Sequence, residues 1–71
     1  MNNCLKEKRK TFGYSQLELS KKANVSRTTI AEIEKGRVKY LRSDTMLKLA
    51  IALECDITDI FFKEFVMQTQ Q

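Results

Sequence analysis

The sequence predicts an all-α domain of five short helices, on three observations. Proline is absent and glycine occurs only twice, at Gly13 and Gly36, both where apolar periodicity breaks. Ser15, Ser26 and Asp56 each stand just ahead of an apolar stretch, where a side-chain oxygen can cap a helix. The apolar residues behind them recur three and four apart, as Leu19 with Ala23, Ile30 with Ile33, and Met46 with Leu49, Ala50 and Leu53. The 71 residues make one domain, 1–71, without internal repeat or linker.

Each element follows from local chemistry. The first helix is expected over 3–11, with Leu5, Cys4 and the Lys8 stem inward, and Gly13 ends it. The second opens at Ser15, whose hydroxyl and Glu18 three residues on form a capping box. Tyr14 just ahead can supply a hydrophobic staple. The helix stops at Asn24, since asparagine tolerates the left-handed conformation. Val25 turns into the core, and Ser26 caps a third helix reaching about Lys35, closed by Gly36. Two short helices around a three-residue turn are a helix-turn-helix. Residues 37–43 form a basic, aromatic loop. The fourth helix starts near Ser43 or Asp44 with a broad inward face of Met46, Leu47, Leu49, Ala50 and Leu53. Asp56, boxed with Asp59, caps the fifth, where Ile57, Ile60, Phe61, Phe62, Phe65 and Val66 crowd together. Residues from 67 onward are expected to fray.

Composition removes several function classes. There is no histidine, and the two cysteines, Cys4 and Cys55, lie far apart with neither metal nor disulfide spacing. They read as small hydrophobes. No metal or cofactor is implied, no small-molecule effector is evident, and no convergent carboxylates or glycine-rich phosphate loop suggest an enzyme. No apolar run reaches the length of a membrane span and no signal-peptide core is present, so a cytoplasmic protein without membrane association is expected. The net charge of +4 is divided unevenly. Residues 1–42 carry eleven Lys or Arg against four acids, and residues 43–71 carry two against five. A basic front and an acidic rear suit a polyanionic partner.

The third helix carries the chemistry. With Ile30 and Ile33 inward, Arg27, Thr28, Ala31 and Glu32 cannot all be buried. Arginine reaches guanine O6 and N7 with two parallel donors, threonine offers a hydroxyl and a methyl, and glutamate accepts from cytosine N4. Arg27, Thr28 and Glu32 are therefore the candidate base readers of double-stranded DNA. Phosphate contacts need donors on flanking elements. Gln16 at the start of the second helix and Lys35, Arg37, Lys39 and Arg42 after the third supply them. Tyr40 either bonds a phosphate or packs its ring on the domain. Arg9 and Glu34, near helix ends beside one core, are expected to form a partly buried ion pair joining the first helix to the third.

The run S-Q-L-E-L-S-K-K-A-N-V-S-R-T-T-I-A-E-I-E-K-G resembles the helix-turn-helix of the Xre family, the Cro and phage-repressor type. The match falls on Ser15, Gln16, Leu19, Val25, Ser26, Thr29, Ile30, Ile33, Glu34 and Gly36, and the likeness covers about 4–62, leaving 63–71 as a C-terminal extension. The resemblance implies a five-helix phage-repressor-like DNA-binding domain that presents helix three to the major groove. It implies that Gln16 holds a phosphate and braces the first recognition residue, that Arg27, Thr28 and Glu32 read bases, and that Thr29 and Lys35 touch backbone. It also implies an Arg9–Glu34 pair and dimers through the fifth helix and its neighbours. Ser20 replaces the usual alanine, Asn24 replaces the turn glycine, and the loop after Gly36 lacks the usual proline and is about one residue longer.

The expected function is a sequence-specific DNA-binding regulator, a small dimeric repressor or autoregulator on a palindromic operator. The alternative is an antitoxin-like module whose main role is to bind a partner protein. RNA fits the charge, but no exposed aromatic platform is evident. Phe62 and Phe65, three apart, with Val66 beside Phe62, give the rear of the chain a second apolar face. A homodimer would bury it, whereas folding back over the first helix would cover it within one chain.

Overall fold

The computed structural model describes residues 3–61, and the face expected of Phe62, Phe65 and Val66, like the fraying beyond them, lies outside the described residues. Within that span the chain forms α1 (Leu5–Thr11), α2 (Gln16–Ala23), α3 (Arg27–Glu34), α4 (Ser43–Ala52) and α5 (Ile57–Ile60). The α2 helix packs on both α3 and α4, α1 packs on α3, and α4 packs on α5. The two ends of the described chain meet in an isolated antiparallel bridge between Asn3 and Phe61.

The stops of α1 to α4 share one geometry. Gly13, Asn24, Gly36 and Glu54 all have positive φ, at 73°, 55°, 73° and 52°. In each case the following amide returns to a carbonyl five residues back: Tyr14 to Arg9, Val25 to Ser20, Arg37 to Glu32, and Cys55 to Ala50, at 3.0–3.2 Å. A left-handed residue thereby satisfies carbonyls that the helix end would leave orphaned. Glycine at 13 and 36 adopts this turn without strain, and asparagine at 24 with little. Glu54 has neither excuse, and its conformation was not legible from residue type.

The helix starts follow the expected caps. Ser15 Oγ accepts from the Glu18 amide at 3.0 Å while Glu18 Oε1 accepts from the Ser15 amide at 2.8 Å, completing the capping box. The Ser15 amide and then its hydroxyl hold the Glu18 carboxyl below its ordinary range. Asp59 Oδ2 returns to the Asp56 amide at 2.9 Å at the start of α5. The start of α1 differs from expectation. Asn3 is not helical: its Nδ2 donates to the Ile33 carbonyl at 2.8 Å and its Oδ1 accepts from the Leu5 amide at 3.0 Å. One side chain thus serves the beginning of α1 and the end of α3.

The core comprises Leu5, Leu19, Ala23, Val25, Ile30, Ile33, Met46, Leu49, Ala50, Leu53, Ile60 and Phe61. Leu47, expected on the inward face of α4, is instead 50% exposed, and Ile51 beside it is 66% exposed. A residue one step past Met46 points about 100° away from the Met46–Leu49–Ala50–Leu53 stripe, beyond what the core can cover. Phe61, expected in the last helix, leaves it in extended conformation (φ −112°, ψ 140°) and is wholly buried. Cys4 and Cys55 are half-buried rather than interior, and burial pushes the Cys55 thiol above its ordinary range, with Asp59 adding to the effect.

Because Ile30 has no exposed surface and anchors α3, Ile30→Ala should destabilise the domain by about 2–5 kcal/mol through the cavity it leaves. Urea denaturation of the two proteins measures this directly. An unchanged midpoint would mean that Ile30 is not the anchor of α3.

Candidate nucleic-acid interface

The turn between α2 and α3 is three residues long, and each has one task. Asn24 reverses the chain at φ 55°, ψ 44°. Val25 is buried under both helices' shared core. Ser26, extended at φ −62°, ψ 146°, caps α3 by accepting from the Thr29 amide at 3.1 Å. Its hydroxyl also donates to Thr29 Oγ1 at 2.7 Å.

With Ile30 and Ile33 wholly buried, the opposite side of α3 is set by the helical period. Arg27 and Thr28 are exposed in the first turn, Ala31 and Glu32 are half-buried in the second, and Lys35 is exposed at the end. Thr28 and Glu32 are four apart and Lys35 three further, so they form one stripe. Glu32 Oε2 lies 3.9 Å from Lys35 Nζ, a loose exposed pair that partly offsets the acid on this face without contributing much stability.

The segment from Lys35 to Arg42 is pinned by alternation. Val38 and Leu41 are half-buried against the core, while Lys35, Arg37, Lys39 and Arg42 are exposed. Four cations and no acid therefore stand in one loop at the C-terminal end of α3. Arg42 is partly engaged, since its Nε donates to Asp44 Oδ1 at 3.1 Å. The Tyr40 ring is 72% exposed, so it does not pack on the domain.

Beneath this surface lies a hydrogen-bonded cluster. Arg9 Nε donates to Glu34 Oε2 at 2.7 Å and Nη2 to Glu34 Oε1 at 3.1 Å, with 11% and 5% of the two side chains exposed. Arg9 Nη1 donates to the Tyr14 carbonyl at 2.8 Å, and Gln16 Nε2 donates to Glu34 Oε1 at 3.2 Å. The expected pair is present, and it recruits Gln16, which the sequence pointed to as a phosphate contact and a brace for the first recognition residue but not as a partner of Glu34. Burial acts to raise the Glu34 carboxyl, but the hydrogen bonds from Arg9 and Gln16, with the charges of Arg9 and Lys6, outweigh it and hold the carboxyl below its ordinary range. The hydrogen bond to Glu34 raises the Arg9 guanidinium. A second cluster on the α1–α2 side was also missed. Phe12 stacks on Tyr14 with ring centroids 5.6 Å apart, and Lys22 Nζ lies 5.3 Å from the centre of the Tyr14 ring. Among the described residues no helix is long and apolar enough to cross a membrane.

A capped helix with its side chains turned outward, set on a left-handed turn and flanked by a basic loop, defines a helix-turn-helix DNA-binding protein. The family model described as helix-turn-helix matches residues 5–60, and the chain belongs to that family, of the Xre/Cro-C1 type, a class of DNA-binding transcriptional regulators rather than enzymes. It is 42% identical over 65 residues to YgzD of Bacillus subtilis (strain 168), an uncharacterized HTH-type transcriptional regulator, covering 90% of this chain and 96% of that one. Its fold is similar to that of the restriction-modification controller protein C.AhdI from Aeromonas hydrophila, with a TM-score of 0.73 and 30% identity over 80% of this chain and 85% of that one. It is also similar to a chain of the SinR–SinI protein complex, with a TM-score of 0.77 at 24% identity, over 89% of this chain and 61% of that chain.

The ion pair carries a pH signature. Glu34 titrates lower in the folded state than the ~4.3 of an unfolded glutamate, so the unfolded chain binds more protons between those values. The stabilisation is present above about pH 4.3 and is lost as pH falls through the folded-state value. Arg9→Ala, which strands a partly buried carboxylate, should cost about 3 kcal/mol near neutral pH. That difference should shrink as the solution is acidified and Glu34 protonates, first in the variant, whose carboxyl has lost the Arg9 contacts that hold it low. Urea denaturation of both proteins across this range measures it, and a difference independent of pH would mean that the pair does not stabilise the fold.

Proposed function

We propose that this chain is a cytoplasmic, sequence-specific repressor or autoregulator that binds a palindromic operator in double-stranded DNA as a homodimer. In this reading α3 enters the major groove. Arg27, Thr28 and Glu32 contact base edges, and Gln16, Thr29, Lys35, Arg37, Lys39 and Arg42 hold phosphates on either side. The observation that carries the reading is the placement of exposed Arg27 and Thr28 in the first turn of a helix whose other face is locked by Ile30 and Ile33. Thr29, in the first turn beside the Ser26 cap, is placed with them. Arg42 retains its Nη groups for phosphate while Asp44 holds its Nε. The likeness to a restriction-modification controller protein supports a small regulator acting on DNA.

A dimer follows from the energetics of recognition. One such helix offers few base contacts, and two copies on one face of DNA place their recognition helices about 34–36 Å apart, one helical turn. The apolar residues Phe62, Phe65 and Val66 are the proposed contact, since an exposed face of that kind is unusual on so short a chain.

Selection of bound sites from random duplexes by the purified protein tests the function as a whole, and a palindromic consensus is expected. On the selected site, Arg27→Ala should lose about 1–3 kcal/mol of discrimination at one base position. Lys35→Ala should weaken all sequences alike and lower the salt slope by about one unit. Arg27 is not a base reader if its alanine variant keeps the wild-type ratio between matched and mismatched sites.

Replacing Phe62 with aspartate and Phe65 with lysine should shift sedimentation from two chains to one, preserve most of the helicity and sharply weaken operator binding. A wild-type protein that stays monomeric at tens of micromolar, free and on the palindrome, contradicts the dimer.

A further inference from the structure

We propose that Glu34 is a positioning residue for the DNA-backbone contact, acting through Gln16; this rests on the DNA-binding reading above. Gln16 is the first residue of α2, and its side chain is half-buried. Its carboxamide has two donors and one acceptor, and rotation by half a turn would exchange them. Glu34 decides between the two orientations. An ionised carboxylate only accepts, so the amide must turn its nitrogen toward Glu34 Oε1, where it sits at 3.2 Å. The reverse orientation would set two oxygens against each other. One N–H is consumed in this contact, and the second remains for an anion.

Glu34 is able to do this because it is itself fixed. Both of its oxygens accept from Arg9, at 2.7 and 3.1 Å, and Arg9 is tied in turn to the Tyr14 carbonyl at 2.8 Å, one residue before the Ser15 cap of α2. The chain of contacts runs from α1 through the end of α3 to the start of α2. A long polar side chain that would otherwise sample several rotamers is held in one before DNA arrives, so less conformational entropy remains to be lost on binding. The ion pair therefore serves the interface as well as the fold. Arg9 and Lys6 are the cations acting on Glu34.

The test is a double-mutant cycle on the operator duplex obtained by site selection, with circular dichroism confirming that each variant is folded. Gln16→Ala and Glu34→Met should each lower affinity by roughly tenfold or more. The double variant should be no weaker than the worse single one, because both remove the same oriented donor. Glu34→Gln, which keeps an acceptor oxygen for the amide, should recover part of the loss. If the double variant's loss equals the product of the two single losses, or if Glu34→Met binds like wild type, the proposal is overturned while DNA binding stands. If the wild-type protein selects no duplex, both readings fall. Should Glu34→Met not fold, nuclear magnetic resonance of the wild-type protein decides. The Gln16 side-chain amide protons should shift together with the Glu34 carboxyl carbon as it titrates, below the ordinary carboxylate range. Amide protons that ignore that titration overturn the proposal.

Discussion

Everything α3 offers to solvent depends on one backbone reversal, the left-handed residue at Asn24. At φ 55° the chain turns sharply enough for Val25 to enter the core and for Ser26, one residue later, to be extended and ready to cap. Only three residues separate the two helices, so their crossing has little freedom. The rotation of α3 about its own axis is then settled by burial: Ile30 and Ile33 go under, and Arg27 and Thr28 must come out. A residue with a β-branched side chain at position 24 would resist this conformation and loosen that registry.

The second constraint is electrostatic. Among the described residues no polar side chain is fully buried, yet Arg9 and Glu34 come close, and their geometry is two-pronged. Charge pairs so placed recover little net stability against an apolar alternative, and their established use is to specify one arrangement among several. Here the arrangement joins α1, the turn before α2 and the end of α3. Asn3 reinforces the same junction from the other side by holding the Ile33 carbonyl and the Leu5 amide. A small core with short helices depends on such ties, because each helix alone is too short to be stable.

Charge is distributed to match. The exposed cations concentrate after α3, on a loop whose two apolar residues, Val38 and Leu41, anchor it to the core. The loop departs from a proline-fixed turn and is held instead by these two apolar contacts. The acids on this side are partly offset, Glu32 by Lys35 and Asp44 by Arg42. The field near α3 is therefore positive without a dense block of like charge.

The positions of three capped helix starts and three helix stops were legible in the sequence, because caps and left-handed residues act through neighbours within about five positions. The outward identity of Arg27, Thr28 and Lys35 was legible too, from the period of Ile30 and Ile33. So was the Arg9–Glu34 pair, although the residues lie 25 apart, because two unpaired charges beside one core need each other. What remained hidden was decided by packing between distant segments. Asn3 lies outside the helix, bridged to Phe61 and bonded to the Ile33 carbonyl, and Leu47 is exposed because the core ends before its side of α4. Glu54 takes a left-handed turn that its residue type does not favour, in the short connection between α4 and α5. Gln16 shares its donor with Glu34, 18 residues away, for which no local pattern exists. Local chemistry by itself determined where helices begin, end and face; only the tertiary structure decided which polar side chains meet, because that depends on how three helices converge on one point.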